Sequence, residues 1–203
     1  MNNPSDENEA TVFSPRSAEL IAREDSALLI VDVQEKLLAA IDEGRQIVWN
    51  ASRLARAAKQ MDIPMFASEQ YPERLGPTAQ DLVEHIGEAT GKRMFSCREC
   101  DAFVTQCQSN NIRQIVICGI ESHVCVLQTA LDLLAEGFSV FIVGDAVGSR
   151  GNLDHHLALR RMETCGAIVT TTESVLFEWC ETSTAPEFKQ ISALVREEFE
   201  SDS

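Results

Sequence analysis

A chain of 203 residues is long enough for one substantial domain with its own hydrophobic core. Hydrophobic residues make up 44% of the chain and charged residues 24%, as in ordinary globular proteins. The formal net charge of −15 disfavours a nucleic-acid partner and an anionic membrane surface, because both are bound through clustered Lys and Arg. No apolar run in the sequence approaches the roughly 20 residues that a membrane-spanning helix needs.

The N-terminal residues 1–17 are polar and acidic, without the basic and apolar regions of a secretory signal, and are predicted to form a disordered tail. The seven cysteines are an odd number and are scattered through apparent strands and helices. This distribution is typical of reduced thiols, so a cytoplasmic location is expected. No internal repeat or linker divides residues 18–203, which are predicted to form a single domain.

Five short apolar runs predict strands that are buried on both faces, because apolar and polar residues do not alternate along them. In chain order these runs are Ala27–Val33, Pro64–Ser68, Gln114–Ile120, Ser139–Val143 and Ala167–Thr171. Helical periodicity is found in Ile47–Met61 and Val124–Leu134, and a last helix is predicted over Pro186–Glu198. Alternating strands and helices predict a doubly wound, Rossmann-like α/β domain, with a mostly parallel sheet between two layers of helices.

Cys125 follows the predicted strand Gln114–Ile120 and a short turn. In sheets of this kind ligands bind at the carboxyl ends of the strands. With Ser122 as the N-cap, Cys125 lies in the first helical turn, where free N–H groups and the helix dipole favour a thiolate and can bind an oxyanion. The alternative is a small, buried, structural thiol.

Three charged residues are further candidates, and two of them, Asp32 and Asp145, lie near the ends of predicted strands. Asp32 ends an apolar run, so its carboxylate is either paired, functional, or the cap of the following turn. For Asp145 the structural interpretation is favoured, because the Gly-rich turn after it offers backbone donors. Lys92 can stabilise a thiolate and a carboxylate together, although on spacing alone Lys92 and Arg93 are more typical of a solvated basic pair.

Three other sequence features give weaker evidence about function. Cys97 and Cys100 form a C-x-x-C pair, which raises metal binding or thiol redox chemistry, but no second pair or His-x-x-x-His is present to complete a zinc site. His123 stands two residues before Cys125 and points to a different helix face, so direct pairing is not expected. The glycines of residues 144–151 form no dinucleotide fingerprint, and no cofactor is predicted.

Six segments together resemble the isochorismatase-like cysteine hydrolases, from Ala27 to the last predicted helix and in the family's order. They are ALLIVDVQEKLL, SEQYPERLGPT, GKRMFSC, VICGIESHVCVLQTALDLL, FIVGDAVGSR and TTTESVLFEW. The EQYP and LGPT pieces, with the pattern of Phe188, Lys189, Ser192, Leu194 and Val195, are most similar to the isochorismatase domain-containing branch. Typical members of that branch have no well-established substrate.

The resemblance implies an Asp-Lys-Cys triad, formed here by Asp32, Lys92 and Cys125. Asp32 is then the base that takes the thiol proton, Lys92 holds carboxylate and thiolate in place, and Cys125 attacks a carbonyl to form an acyl-enzyme. The resemblance also implies a cis peptide between Ile120 and Glu121, with the N–H groups of Glu121 and Cys125 as the oxyanion hole. Homo-oligomers are usual in the family, and a homo-oligomer is expected.

This sequence departs from the nicotinamidases of the same superfamily, which carry an Asp-x-His metal motif. Ser68, Glu69 and Gln70 stand at the matching place, so no catalytic metal is predicted, and Gln70 and Phe95 are predicted to line the substrate pocket. Because true isochorismatases need no cysteine nucleophile, Cys125 favours a small amide or related acyl substrate. The alternative is a catalytically silent binding or assembly protein with the same fold.

Overall fold

The computed structural model describes residues 16–199. The predicted disordered tail, residues 1–17, lies outside this range except for its last two residues, of which Arg16 forms an ion pair with Glu181 at 2.8 Å. Within residues 16–199, the helices are all too short or too polar to cross a membrane.

The centre of the described chain is a six-stranded parallel sheet with the strand order β3-β2-β1-β4-β5-β6. Its strands are β1 (Ser26–Val31), β2 (Met65–Gln70), β3 (Thr90–Lys92), β4 (Gln114–Ile120), β5 (Ser139–Gly148) and β6 (Ile168–Thr170). The chain order reverses between β1 and β4, so a crevice is expected at the carboxyl ends of these two strands. The predicted doubly wound α/β fold is confirmed.

Helices connect the strands and cover the sheet. They are α1 (Glu35–Leu38), α2 (Gly44–Gln60), α3 (Pro72–Leu75), α4 (Gln80–Val83), α5 (Asp101–Ser109), α6 (Leu127–Ala135), α7 (Asn152–Thr164), α8 (Thr172–Cys180) and α9 (Phe188–Val195). Alternate residues of β1 enter two separate cores, Leu28 on the side of α2, α8 and α9, and Leu29 on the side of α5, α6 and α7. Both faces of the strand are therefore buried, as its continuous apolar run predicts.

Some predicted boundaries are wrong. Strand β3 is short and carries no large apolar residue, so its sequence contains no strand pattern to detect. Strand β5 continues to Gly148, well beyond the predicted end at Val143. Helix α9 is shorter than predicted, and the helix after β4 begins with a π-helical turn, Ser122–Val126, before α6.

Asp145 makes structural hydrogen bonds, as favoured from the sequence, but the donors to its carboxylate belong to Thr172 and not to the Gly-rich turn. Its Oδ1 atom accepts hydrogen bonds from the backbone N–H of Thr172 at 2.8 Å and from the Thr172 hydroxyl at 3.0 Å, at the start of α8. Its backbone carbonyl accepts a hydrogen bond from Asn50 Nδ2 at 2.6 Å. The carboxylate of Asp145 therefore ties the end of β5 to α8.

We expect Asp145→Ala to lower the free energy of unfolding by about 1–2 kcal/mol, the usual cost of losing a helix cap. Urea denaturation followed by far-UV circular dichroism measures this change. Asp145→Asn keeps the Oδ1 acceptor and is expected to retain most of the stability. The alkylation rate of Cys125 should be the same in both variants as in the wild type; a large change in that rate would contradict the purely structural role.

Candidate active site

Asp32 follows β1 at the switch point of the sheet. Its backbone N–H donates to the carbonyl of Ser68 at 3.1 Å, and its φ of 50° turns the chain away from the strand. A left-handed backbone is uncommon outside glycine, but aspartate is among the residues that tolerate it. The Asp32 side chain is fully buried, so its carboxylate needs partners inside the protein.

Lys92 provides the charged partner. It ends β3, which pairs with β2, and β2 pairs with β1, so the three strand ends lie side by side. The Lys92 Nζ atom lies 2.7 Å from Asp32 Oδ2, and both side chains are fully buried. Nζ also donates to Gln70 Oε1 at 2.8 Å and to the carbonyls of Phe95 at 2.9 Å and Met94 at 3.3 Å. The ammonium group is thus surrounded by acceptors.

Burial by itself would lower the pKa of Lys92, but the Asp32 carboxylate, with smaller contributions from the thiols of Cys125 and Cys97, raises that pKa above its usual value of 10.5. Lys92 is therefore an ammonium ion at neutral pH. Its neighbour Arg93 points elsewhere, with its guanidinium 2.7 Å from Glu73 and stacked 4.2 Å from the ring of Tyr71. Of these two adjacent cations, the structure places Lys92 at the carboxylate.

Cys125 lies in the π-helical turn after β4, and its residue is only 6% exposed. Its thiol lies beside Asp32, and burial, followed by the negative charge of Asp32, raises the pKa of Cys125 above its ordinary value. The expectation that the helix start favours a resting thiolate is therefore wrong, since burial and the charge of Asp32 outweigh the charge of Lys92. In this arrangement the resting group is a protonated thiol beside a carboxylate.

The turn before Cys125 differs from the predicted N-cap. Glu121 occupies the N-cap position without a side-chain cap, and the Ser122 hydroxyl instead lies 3.0 Å from His155 Nδ1. The expected role of Ser122 as the cap is therefore wrong, because its side chain is buried against α7. The peptide bond between Ile120 and Glu121 is cis, as the resemblance implies, and the Glu121 carboxylate pairs with Arg150 at 3.0 Å.

Gln70 and Phe95 both lie beside Lys92. The Gln70 amide is engaged at both ends, because its Oε1 accepts from Lys92 and its Nε2 donates to the carbonyl of Arg93 at 2.9 Å. The Phe95 side chain is 51% exposed, while its carbonyl holds the ammonium. Gln70 thus helps to position Lys92, and contact of either side chain with substrate stays a prediction.

Two buried residues that the sequence analysis did not connect to the site extend it. The Ser68 hydroxyl donates to Asp32 Oδ1 at 2.8 Å, and the Cys97 thiol donates to Ser68 Oγ at 3.3 Å. Ser68 could have been predicted as a site residue only from its position near the end of β2, next to the end of β1. That inference requires knowing that the two strands pair. By contrast, His123 bonds to Ser149 at 2.9 Å through Nδ1 rather than to Cys125.

A large cavity in the described part of the chain lies away from these residues. It has a volume of about 690 Å³ and lies between α1, the start of α2 and the C-terminal end, with Leu38, Trp49 and Phe199 among its lining residues. Its lining includes none of Asp32, Lys92 and Cys125. This cavity is therefore separate from the place where the titratable groups converge.

We expect Asp32→Asn to move the alkylation of Cys125 to lower pH. The substitution removes the negative charge that helps to raise the pKa of Cys125 and leaves the Lys92 ammonium as the nearest charge, so the thiolate forms more readily. The measurement is the rate of iodoacetamide labelling of Cys125 against pH, followed by peptide mass spectrometry.

The exposed Cys165 serves as the internal reference, because its labelling should follow the same pH profile in the wild type and the variant. We expect the midpoint for Cys125 to fall by roughly one pH unit or more, the size of shift that a neighbouring charge produces. An unchanged or higher midpoint would show that Asp32 does not control the thiol.

Comparison with known proteins shows which family and fold this chain resembles. Residues 26–174 match the isochorismatase domain. Isochorismatase domain-containing protein 2A of Mus musculus is 37% identical over 182 residues, which make up 87% of this chain and 85% of that protein. The structure of MAR1 ribonuclease from Caenorhabditis elegans shows 37% identity and a TM-score of 0.82, covering 87% of this chain and 92% of that one. YcaC from Escherichia coli, described as an octameric hydrolase of unknown specificity, shows 25% identity and a TM-score of 0.81, covering 89% and 91%.

Proposed function

The chain belongs to the isochorismatase family, and from this premise we propose that it is a cysteine hydrolase with Cys125 as nucleophile. The proposed substrate is a small amide or a related acyl compound, and the reaction passes through a thioester. The observation that carries the proposal is a buried group of three side chains, in which Asp32 pairs with the Lys92 ammonium at 2.7 Å and lies beside the thiol of Cys125. A buried thiol beside a buried carboxylate provides a nucleophile with its base.

In the proposed first half-reaction, Asp32 takes the thiol proton as Cys125 Sγ attacks the substrate carbonyl. The backbone N–H groups of Glu121 and Cys125 are proposed to stabilise the oxyanion of the tetrahedral intermediate. The C–N bond then breaks, the amine leaves with the proton held by Asp32, and the acyl group remains on sulfur. The raised pKa of Cys125 fits this scheme, because the proton leaves only when the carbonyl is in place to be attacked.

In the second half-reaction, Asp32 accepts a proton from water as the water attacks the thioester. The tetrahedral intermediate collapses, the C–S bond breaks, the acid leaves, and the proton on Asp32 returns to Cys125. Lys92 keeps its charge throughout, since its raised pKa holds the proton, and its four acceptors fix it beside the carboxylate. Its proposed role is to orient Asp32 and to balance the charge of the transient thiolate.

Independence from a metal is part of the proposal. Ser68, Glu69 and Gln70 stand where the metal motif of the nicotinamidases is expected, and their side chains are committed to other partners. The Ser68 hydroxyl binds Asp32 at 2.8 Å, and Glu69 Oε1 accepts from the backbone and hydroxyl of Thr78 at 2.7 and 2.9 Å. A single carboxylate with these partners does not supply the usual ligand number for a catalytic metal.

The proposal is tested by screening short-chain amides, activated esters and thioesters with the wild type and Cys125→Ala. The expected result is turnover by the wild type alone, with an acyl adduct on Cys125 detected by intact mass after rapid acid quenching. Cys107→Ala, which removes a buried thiol from α5, is the matched control and should retain turnover. Equal turnover by the wild type and Cys125→Ala, for every compound that reacts, would contradict the proposal.

Two other functions are distinguished by the same panel. A silent binding or assembly protein would show neither turnover nor adduct, and the intact ion pair and thiol contact argue against it. The C. elegans protein is described as a ribonuclease, so an RNA oligonucleotide is included. The net charge of −15 disfavours RNA binding by this chain. A homo-oligomer in the cytoplasm, as expected from the sequence, stays a prediction.

A further inference from the structure

Cys97 and Cys100 form a pair of thiols next to the proposed active site. The Ser96 hydroxyl accepts from the Arg98 N–H at 3.1 Å and caps a 3₁₀ turn that runs from Cys97 to Glu99. The turn closes with the N–H of Cys100 donating to the carbonyl of Cys97 at 2.9 Å. The two cysteines are therefore one turn apart, and their thiols are close enough for each to shift the pKa of the other.

The two thiols are not equivalent. The hydrogen bond from the Cys100 thiol lowers the pKa of Cys97, in spite of burial, while the same contact and burial raise the pKa of Cys100. The contact therefore favours ionisation of one sulfur of the pair while the other keeps its proton. A dithiol in which one sulfur ionises and the other donates to it is the arrangement that forms disulfides readily.

Cys97 is also connected to the base of the proposed triad. Its thiol donates to Ser68 Oγ at 3.3 Å, so the Ser68 hydroxyl hydrogen is directed to Asp32 Oδ1 at 2.8 Å. The backbone N–H of Cys97 donates to Thr129 Oγ1 at 2.9 Å, which anchors the turn on α6, the helix that continues from Cys125. Oxidation or movement of Cys97 Sγ therefore affects the contacts of both the Asp32 carboxylate and the helix that carries Cys125.

We propose that Cys97 and Cys100 are a redox-active dithiol whose reversible disulfide switches off the site at Asp32. The oxidant class is a small peroxide. Cys97 sulfur attacks one peroxide oxygen, the O–O bond breaks, and Cys97 sulfenic acid and water are formed. The Cys100 thiol then attacks the Cys97 sulfur, the S–O bond breaks, and a second water leaves. The two thiols lose two electrons in total, and the peroxide gains them.

The disulfide removes the S–H group that donates to Ser68 and draws Cys97 Sγ toward Cys100. The Ser68 hydroxyl then loses the contact that sets its direction toward Asp32. Misplacement by about 1 Å can cost about 100-fold in rate, so we expect hydrolysis to fall by at least roughly tenfold. This second part rests on the proposed function, whereas formation of the disulfide does not.

The test treats the whole protein with hydrogen peroxide, followed by blocking of free thiols and trypsin digestion. Cleavage after Arg98 separates the two cysteines onto the peptides Met94–Arg98 and Glu99–Arg113. The expected product is a cross-link between these peptides that dithiothreitol reverses. Because Glu99–Arg113 also contains Cys107, the variants Cys100→Ser and Cys107→Ser decide the partner, and only Cys100→Ser should abolish the cross-link.

Hydrolysis of p-nitrophenyl acetate is measured on the same samples. We expect peroxide to slow the wild type and Cys107→Ser at least roughly tenfold, with recovery in dithiothreitol, and to leave Cys100→Ser active. No cross-link between the two peptides, or a link from Cys97 to the peptide that carries Cys125, would overturn the dithiol. A cross-link with unchanged hydrolysis would overturn the switch. A wild type that never hydrolyses the ester would count against the proposed function instead, because the cross-link is scored by mass alone.

Discussion

Lys92→Met should lower the free energy of unfolding by about 3–5 kcal/mol, the usual cost of removing one partner of a buried ion pair. Methionine fills much of the volume of the lysine stem, so the loss comes from charge and hydrogen bonding rather than from a cavity. The Asp32 carboxylate, fully buried, would lose its 2.7 Å partner. Gln70 Oε1 and the carbonyl of Phe95 would lose a donor as well. Urea denaturation at neutral pH measures the change.

The matched variant is Asp32→Asn with Lys92→Met, in which neither charge of the pair remains. We expect it to be more stable than Lys92→Met alone, because the penalty belongs to the unpaired carboxylate more than to the missing pair. If the double variant were less stable than the wild type by the sum of the two separate losses, the two residues would be energetically independent. That result would contradict the ion pair as the stabilising contact.

The pH dependence of this contribution follows from the pKa of Lys92, which is raised above 10.5 in the folded protein. A group with a raised pKa stabilises the folded state fully below its unfolded value, and the contribution is lost as the pH rises through the folded value. The stability difference between the wild type and Lys92→Met that comes from protonated Lys92 should therefore persist through neutral pH and shrink only above about pH 10.5.

The fold could be predicted from the sequence because the core strands are continuous apolar runs. Gln114–Ile120 was predicted with its observed bounds, since buried residues fill the whole strand. Strand β3 was missed because Thr90, Gly91 and Lys92 have no apolar pattern, and the strand exists through its pairing with β2. Periodicity describes burial along one segment, while an edge strand depends on a partner distant in sequence.

The candidate active site could also be predicted only as far as local sequence patterns allow. Asp32 and Cys125 were identified as candidates because each follows a buried strand, and the order of the strands then brings them together. The protonation state of Cys125 was predicted wrongly. Its position at a helix start favours a thiolate, whereas burial beside Asp32 raises its pKa. Ser68 and Cys97 join the site only through hydrogen bonds between segments far apart in the chain. Such contacts leave no local pattern.

The Asp32→Asn variant should be acylated once at Cys125 and should then hydrolyse the resulting thioester only very slowly. In this variant the Lys92 ammonium is left to stabilise the thiolate of Cys125, so attack on an activated ester such as p-nitrophenyl acetate is still expected. The good leaving group needs no proton from residue 32. Hydrolysis of the thioester does need a base, and its loss typically slows such a step by about 10²–10⁴-fold. The measurement is a burst of one equivalent of nitrophenolate, with an acetyl group on Cys125 by peptide mass.

The control is Asp32→Asn combined with Cys125→Ala, which should show neither burst nor adduct, although its exposed Cys165 remains. Both Asp32 variants must first be shown to fold by far-UV circular dichroism, since Asp32 also accepts from Ser68 and Lys92. Steady turnover by Asp32→Asn at the wild-type rate would show that another group activates the water. An acetyl group found on Cys97 instead would show that Cys97, the thiol that contacts Ser68, is the nucleophile. Asp32 would then not be the base for Cys125.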